Sequence, residues 1–211
     1  MTELFPRNVP LPWLKPGLFV GALVPLGATA WRGAHDQLGA DIVATVLNQF
    51  GYLALTFLVA ALLCTPLKIV AGWSSAIRLR RMLGLFAFFY AALHFLTYLV
   101  VDQSLNLGAV LADVTKRNFI LVGLLAFVIL IPLAVTSTNG SVRRLGFVRW
   151  KRLHRLTYAA GCLGVIHFIW RVKKDLREPL IFSAILALAL AIRALDALRA
   201  PAKKPERTAD A

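Results

Sequence analysis

The sequence predicts an all-α fold, a polytopic bundle of six membrane-spanning helices, and three observations predict it. Of the 211 residues, 59% are hydrophobic and only 16% charged, where a soluble domain carries roughly a quarter charged residues. The apolar residues gather into six runs of about the length that crosses a bilayer, each closed by charged, proline or turn residues. The connections are short, and no stretch is long or polar enough to form a soluble catalytic domain, so any substrate-converting chemistry is expected on another protein.

The first span, about 16–32, follows a proline-rich segment (Pro6, Pro10, Pro12, Pro16) and contains Pro25. Its Ala28-Thr29-Ala30 has the small-residue pattern of a signal-peptidase site, although Pro25 interrupts the apolar run and favours retention. The second, 46–65, stops at Pro66 and Lys68; the third, 82–101, follows Arg78, Arg80 and Arg81 and ends at Asp102. The fourth, 119–135, ends in Thr136-Ser137-Thr138-Asn139-Gly140, a turn composition. The fifth, 153–170, follows the basic run Arg143, Arg144, Arg149, Lys151 and Arg152, and the sixth covers 179–195. Residues 1–200 thus read as one transmembrane domain, and 201–211, with Pro201, Lys203, Lys204 and Pro205, as a disordered cytoplasmic tail.

The net charge of +14 lies between apolar segments rather than on an amphipathic face, so it argues for topology and against nucleic acid. With the N-terminus inside, only Arg32, Lys116, Arg117, Arg171, Lys173, Lys174 and Arg177 of the 24 basic residues fall outside. This bias orients both termini to the cytoplasm. Cys64 and Cys162 sit in apolar runs without a CxxC context and are expected to be free, buried, apolar residues. No segment repeats another closely enough to suggest an inverted-repeat transporter.

Histidine is expensive in a membrane helix, so its position is informative. His94 lies roughly 20 Å along its helix from Arg81, and His167 roughly 22 Å from Arg152. The two share a level on different spans, which is what axial ligation of a b-type haem requires. With both axial sites filled by protein, the expected job is electron transfer. His154 lies near the basic end with no histidine at its level, and on an ideal helix it sits about 140° away from the His167 face. A haem or flavin contact and an ordinary interfacial histidine are both open for it, and Gly161 and Gly164 are candidate points of distortion between the two rings. His35, in a loop, reads as surface filler. Arg78, Arg80 and Arg81 read first as interfacial anchors. Arg80 and Arg81 read equally well as an anion clamp for haem propionates, a flavin phosphate or a quinone head group.

The run RLRRMLGLFAFFYAALHFLTY (Arg78 to Tyr98), then Thr136-Ser137-Thr138 followed by RRLGFVRWKRLHRLTY, then His167-Phe168-Ile169-Trp170-Arg171-Val172-Lys173, resembles a known family. It is that of the haem-binding membrane subunits of bacterial periplasmic methionine sulfoxide reductase systems, within the ferric-reductase-like transmembrane family. The resemblance covers nearly the whole chain. It implies an inner-membrane protein with haem b, one or two, that takes electrons from the quinone pool, with FMN as an optional further carrier. The electrons then pass to a periplasmic molybdopterin-containing subunit that reduces methionine sulfoxide in oxidised proteins. It also implies His94, His154 and His167 as the haem histidines. Eukaryotic relatives stack two haems between paired histidines; here the residue fourteen before His94 is Arg80, which argues against a conventional second haem. The rival expectations are a stand-alone ferric or cytochrome b561-type reductase and a cofactor-free membrane anchor or transporter.

Overall fold

A computed structural model describes residues 13–199, which form helices joined by short connections and contain no strand. The proline-rich segment before residue 13 and the tail 201–211 lie outside the described residues. The helices are α1 (Leu14–Ala34), α2 (Ile42–Ala71), α3 (Ser74–Leu96), α4 (Leu107–Lys116), α5 (Asn118–Val135), α6 (Asn139–Leu145), α7 (Phe147–Leu153), α8 (Leu156–Arg171) and α9 (Arg177–Arg199). A π-helical turn, Thr97–Asp102, continues α3.

Five helical stretches are long and apolar enough to cross a membrane: α1, α2, α3 with its π-turn, α5 and α9. The expected fifth span is shorter than a bilayer. α8 has 16 residues, about 24 Å at the usual rise. The chain does not run straight into it, because the backbone tightens at His154-Arg155: Arg155 N–H donates to Arg152 O and Tyr158 N–H to Arg155 O, bonds spanning three residues instead of four. The angular offset expected of His154 on one ideal helix therefore does not apply. Gly161 and Gly164 sit inside regular helix; a Cβ there would meet Leu62 Cδ1 at 3.0 Å and Leu55 Cδ1 at 3.3 Å, so these glycines let α8 close on α2.

Other boundaries move for identifiable reasons. α2 starts earlier than expected, because the Asp41 carboxylate accepts from Ala44 N–H at 2.9 Å, and it runs through Pro66 until Gly72, whose φ of 67° ends it. α3 starts at once, so Arg78, Arg80 and Arg81 lie in its first turns rather than before it. The expected turn after α5 is present, with Thr138 Oγ1 capping α6 by accepting from Ser141 N–H. Cys64 is buried and Cys162 exposed on the outside of α8, a correction to the expectation of two buried thiols; both are free.

α2 is the central element. It pairs most extensively with α3 and also packs on α8 and α9, while α5 pairs with α8. Leu55, Val59 and Leu62 of α2 meet Val165 of α8 and Phe182 and Leu186 of α9. On its other side Leu58 joins Ala87 of α3, Leu130 and Leu133 of α5 and Ala160 of α8. α1 touches the bundle mainly through α3, where the fully buried Tyr90 donates its hydroxyl to Ala22 O at 2.6 Å. This contact falls beside Pro25, which lacks the N–H that an uninterrupted helix would supply to the preceding turn. Tyr90→Phe is expected to lower stability by about 1 kcal/mol, read as earlier thermal unfolding in detergent, with the remaining helices intact.

Candidate functional site

His94, in the last turn of α3, and His167, one turn before the end of α8, meet inside the bundle with ring centroids 6.1 Å apart and planes at 82°. Each ring is fixed from behind by a neighbouring helix in the same way. His94 Nδ1 bonds Leu47 O of α2 at 2.9 Å, and His167 Nδ1 bonds Phe119 O of α5 at 2.6 Å. A carbonyl can only accept, so both Nδ1 atoms carry the proton and both Nε2 atoms keep a lone pair.

The close approach depends on glycine. Four residues after each carbonyl stands Gly51 or Gly123, one helical turn along the same face. A Cβ at Gly51 would lie 3.1 Å from His94 Nδ1, and one at Gly123 would lie 2.6 Å from His167 Nδ1. The bare backbone lets each imidazole lie flat enough to reach the carbonyl beneath it. Sequence reasoning missed both glycines; the available signal was an isolated glycine inside a strongly apolar run.

The pair fits an iron held between two imidazoles. Metal–nitrogen bonds of about 2 Å, with about 1 Å more to each ring centre, place the centroids roughly 6 Å apart, as observed. The Nδ1–H···O=C bonds are the outer-shell contacts that orient ligating histidines. Among the described residues no group of three or more His, Cys, Asp or Glu could hold a metal ion as a conventional cluster. A π-turn beginning at Thr97, directly after the turn that carries His94, is of the kind often found at functional sites.

The remaining candidates lie elsewhere. His154 sits at the break between α7 and α8, stacked on Trp150 at 4.0 Å, with Nε2 3.1 Å from Thr136 Oγ1. That hydroxyl donates to Pro132 O at 2.6 Å, so it accepts from His154 Nε2–H and leaves Nδ1 as the unprotonated nitrogen. Trp150 Nε1–H donates to Thr136 O at 2.9 Å and closes the arrangement. Arg80 and Arg81 diverge, as adjacent helical residues must. Arg80 Nη1 donates to Thr65 Oγ1 at 3.5 Å and Arg81 Nη1 to Asn139 Oδ1 at 2.9 Å. Arg78 bonds Ser75 of its own helix. His35 is exposed, stacked on Trp31 and bonded to Trp31 O.

Residues 49–165 match the family described as ferric reductase like transmembrane component. The chain is 49% identical to the protein-methionine-sulfoxide reductase heme-binding subunit MsrQ of Rhodospirillum rubrum, over 86% of this chain and 88% of the relative. It is 47% identical to that of Herminiimonas arsenicoxydans, over 92% and 89%, and 46% identical to that of Deinococcus radiodurans, over 93% and 95%. No solved structure matches the chain.

Proposed function

Since the chain belongs to the MsrQ family of ferric-reductase-like transmembrane proteins, we propose that it is a haem b electron-transfer subunit that serves a methionine sulfoxide reductase. The observation that carries the reading is the His94–His167 pair at 6.1 Å, with each Nδ1 proton committed to a carbonyl and each Nε2 free to ligate. Bound haem would supply a one-electron carrier. His94 and His167 would hold it through Nε2, and their backing carbonyls fix the tautomer and ring orientation. With two protein imidazoles as its ligands, a haem there would suit passing electrons on rather than binding a substrate.

In this reading electrons come from quinol at the cytoplasmic end, where Arg80 and Arg81 lie, optionally through FMN. They leave for a periplasmic molybdopterin-containing subunit that repairs oxidised proteins. Both termini are cytoplasmic, in a bacterial inner membrane. His154 contributes near the inner face through Nδ1, toward a second haem or a flavin. The test is a pyridine haemochrome assay and reduced-minus-oxidised spectrum of the purified protein, with reduction by a soluble quinol analogue. Stoichiometric haem b with sharp reduced bands that appear on quinol addition is expected. Purification without haem from a haem-replete host would overturn the reading.

A further inference from the structure

On the outer side of a membrane protein Lys and Arg are sparse in the short connections. The end of this bundle that carries the histidine pair, outward in the preceding reading, holds seven basic residues. Six of them, Lys116, Arg117, Arg171, Lys173, Lys174 and Arg177, lie on two short segments, and only Arg32 lies apart. The fold brings those segments together. Phe119 O, two residues after Arg117, accepts from His167 Nδ1–H at 2.6 Å, and α5, which starts at Asn118, pairs along α8. The second segment begins at Arg171, four residues after that same histidine. The cations therefore stand around the His167 end of the bundle.

Most carboxylates among them are engaged. Asp113 is turned inward, its side chain 17% exposed, and takes Arg117 Nε at 3.3 Å and the Tyr98 hydroxyl at 3.2 Å. Asp175 accepts from Arg177 N–H at 3.0 Å. Glu178, in the first turn of α9, is the remaining one. Lys116, Lys173 and Lys174 are exposed, and none of their ammonium groups has a partner among the described residues. Across the same end the sign reverses, because the exposed Asp36, Asp41 and Asp102 outnumber Arg32. The end is thus basic beside α5, α8 and α9 and acidic beside α1, α2 and α3. A field of this kind orients an approaching charged surface before contact.

We propose that Lys116, Lys173 and Lys174 form a docking surface for the acidic face of a water-soluble electron-accepting protein, oriented over His167 by the polarised end. This deepens the preceding reading and rests on it for the end by which electrons leave. Exposed ammonium groups stay hydrated and act as a steering rim rather than a buried anchor. That suits a partner that arrives, takes an electron and departs, since electron-transfer encounters are small and weak.

The test measures association of the periplasmic molybdopterin-containing subunit with the full-length protein in phosphatidylcholine nanodiscs by surface plasmon resonance. Raising the ionic strength from about 0.01 to about 0.1 M shortens the screening length from roughly 30 to roughly 10 Å. The association rate is expected to fall about tenfold over that range. Lys173→Glu and Lys174→Glu are each expected to slow association about threefold at low salt and to flatten its salt dependence, with little change in dissociation. Lys174→Arg should keep the wild-type rate, and Arg32→Glu, the same reversal on the acidic side, should not slow it. No association, a rate indifferent to salt, a rate unchanged by both lysine reversals, or an equal loss in Arg32→Glu overturns the proposal. So does a charge effect confined to retention of added phosphatidylglycerol, which would assign the lysines to lipid. The readout does not need haem, so a haem-free protein that still shows it fails the earlier reading alone.

Discussion

His94→Ala and His167→Ala are each expected to lower haem per purified protein by at least about tenfold, while His35→Ala keeps the wild-type content. The rings stand 6.1 Å apart, so a haem held by both would lose one of its two protein ligands in either variant. Loss of an outer-shell contact alone costs a metal site about ten- to a hundredfold in affinity, and loss of the ligand itself costs at least that much. Each variant also removes the one described hydrogen bond that ties the ring to a neighbouring helix, which leaves a lone carbonyl already bonded within its own helix. Unchanged helicity and gel-filtration profile are therefore expected beside the haem loss. His35 makes its contacts with Trp31 of its own helix and has no part in the bundle interior. Full haem retention in both alanine variants would remove the pair from the mechanism.

A single methyl group on the neighbouring helix should nearly reproduce that result. In Gly123→Ala the new Cβ lies 2.6 Å from His167 Nδ1 and 2.8 Å from Cε1, so the ring must swing off the backbone and release Phe119 O. The expected outcome is haem retention about ten- to a hundredfold weaker. Whatever haem remains should have a raised midpoint potential, because an imidazole that no longer gives its Nδ1–H to a carbonyl is a poorer electron donor to ferric iron. Gly51→Ala, at 3.1 Å from His94, should behave likewise but more mildly. Gly84→Ala, with nothing within 4 Å of the added atom, should leave both haem and potential unchanged. Wild-type haem and potential in Gly123→Ala would show that the glycine is packing filler.

The histidine pairing was legible in the sequence because membrane depth is nearly linear in residue number, and both rings could be counted from an arginine. What backs the rings was not. Leu47 and Phe119 act through backbone carbonyls, which no side-chain pattern reports, and Gly51 and Gly123 act through an atom they lack. The structure nonetheless holds a small repeat: two antiparallel helix pairs, each offering a carbonyl and then a glycine one turn on to the histidine of its partner. It is invisible in the sequence because only the glycine and histidine of each copy are chemically constrained. The break at His154 escaped for a different reason. The residues around it, Leu153 to Thr157, are compatible with continuous helix, and the kink is set by tertiary bonds from Trp150 and His154 to Thr136. The divergence of Arg80 from Arg81 was implicit in helical geometry, whereas the arrival of Arg193 beside Arg80 required the packing of α9 on α2.

The brevity of α8 bears on speed. His167 is four residues from the last residue of that helix, Arg171, about 6 Å of rise. A helix too short for the hydrocarbon layer draws the aqueous boundary inward at its end, so the ring nitrogen sits within a turn or so of solvent on the side opposite Arg80 and Arg81. Tunnelling probability decays exponentially with gap width, and the thinnest part of the insulating layer therefore lies where a redox partner docked on that surface could receive charge without penetrating the bilayer.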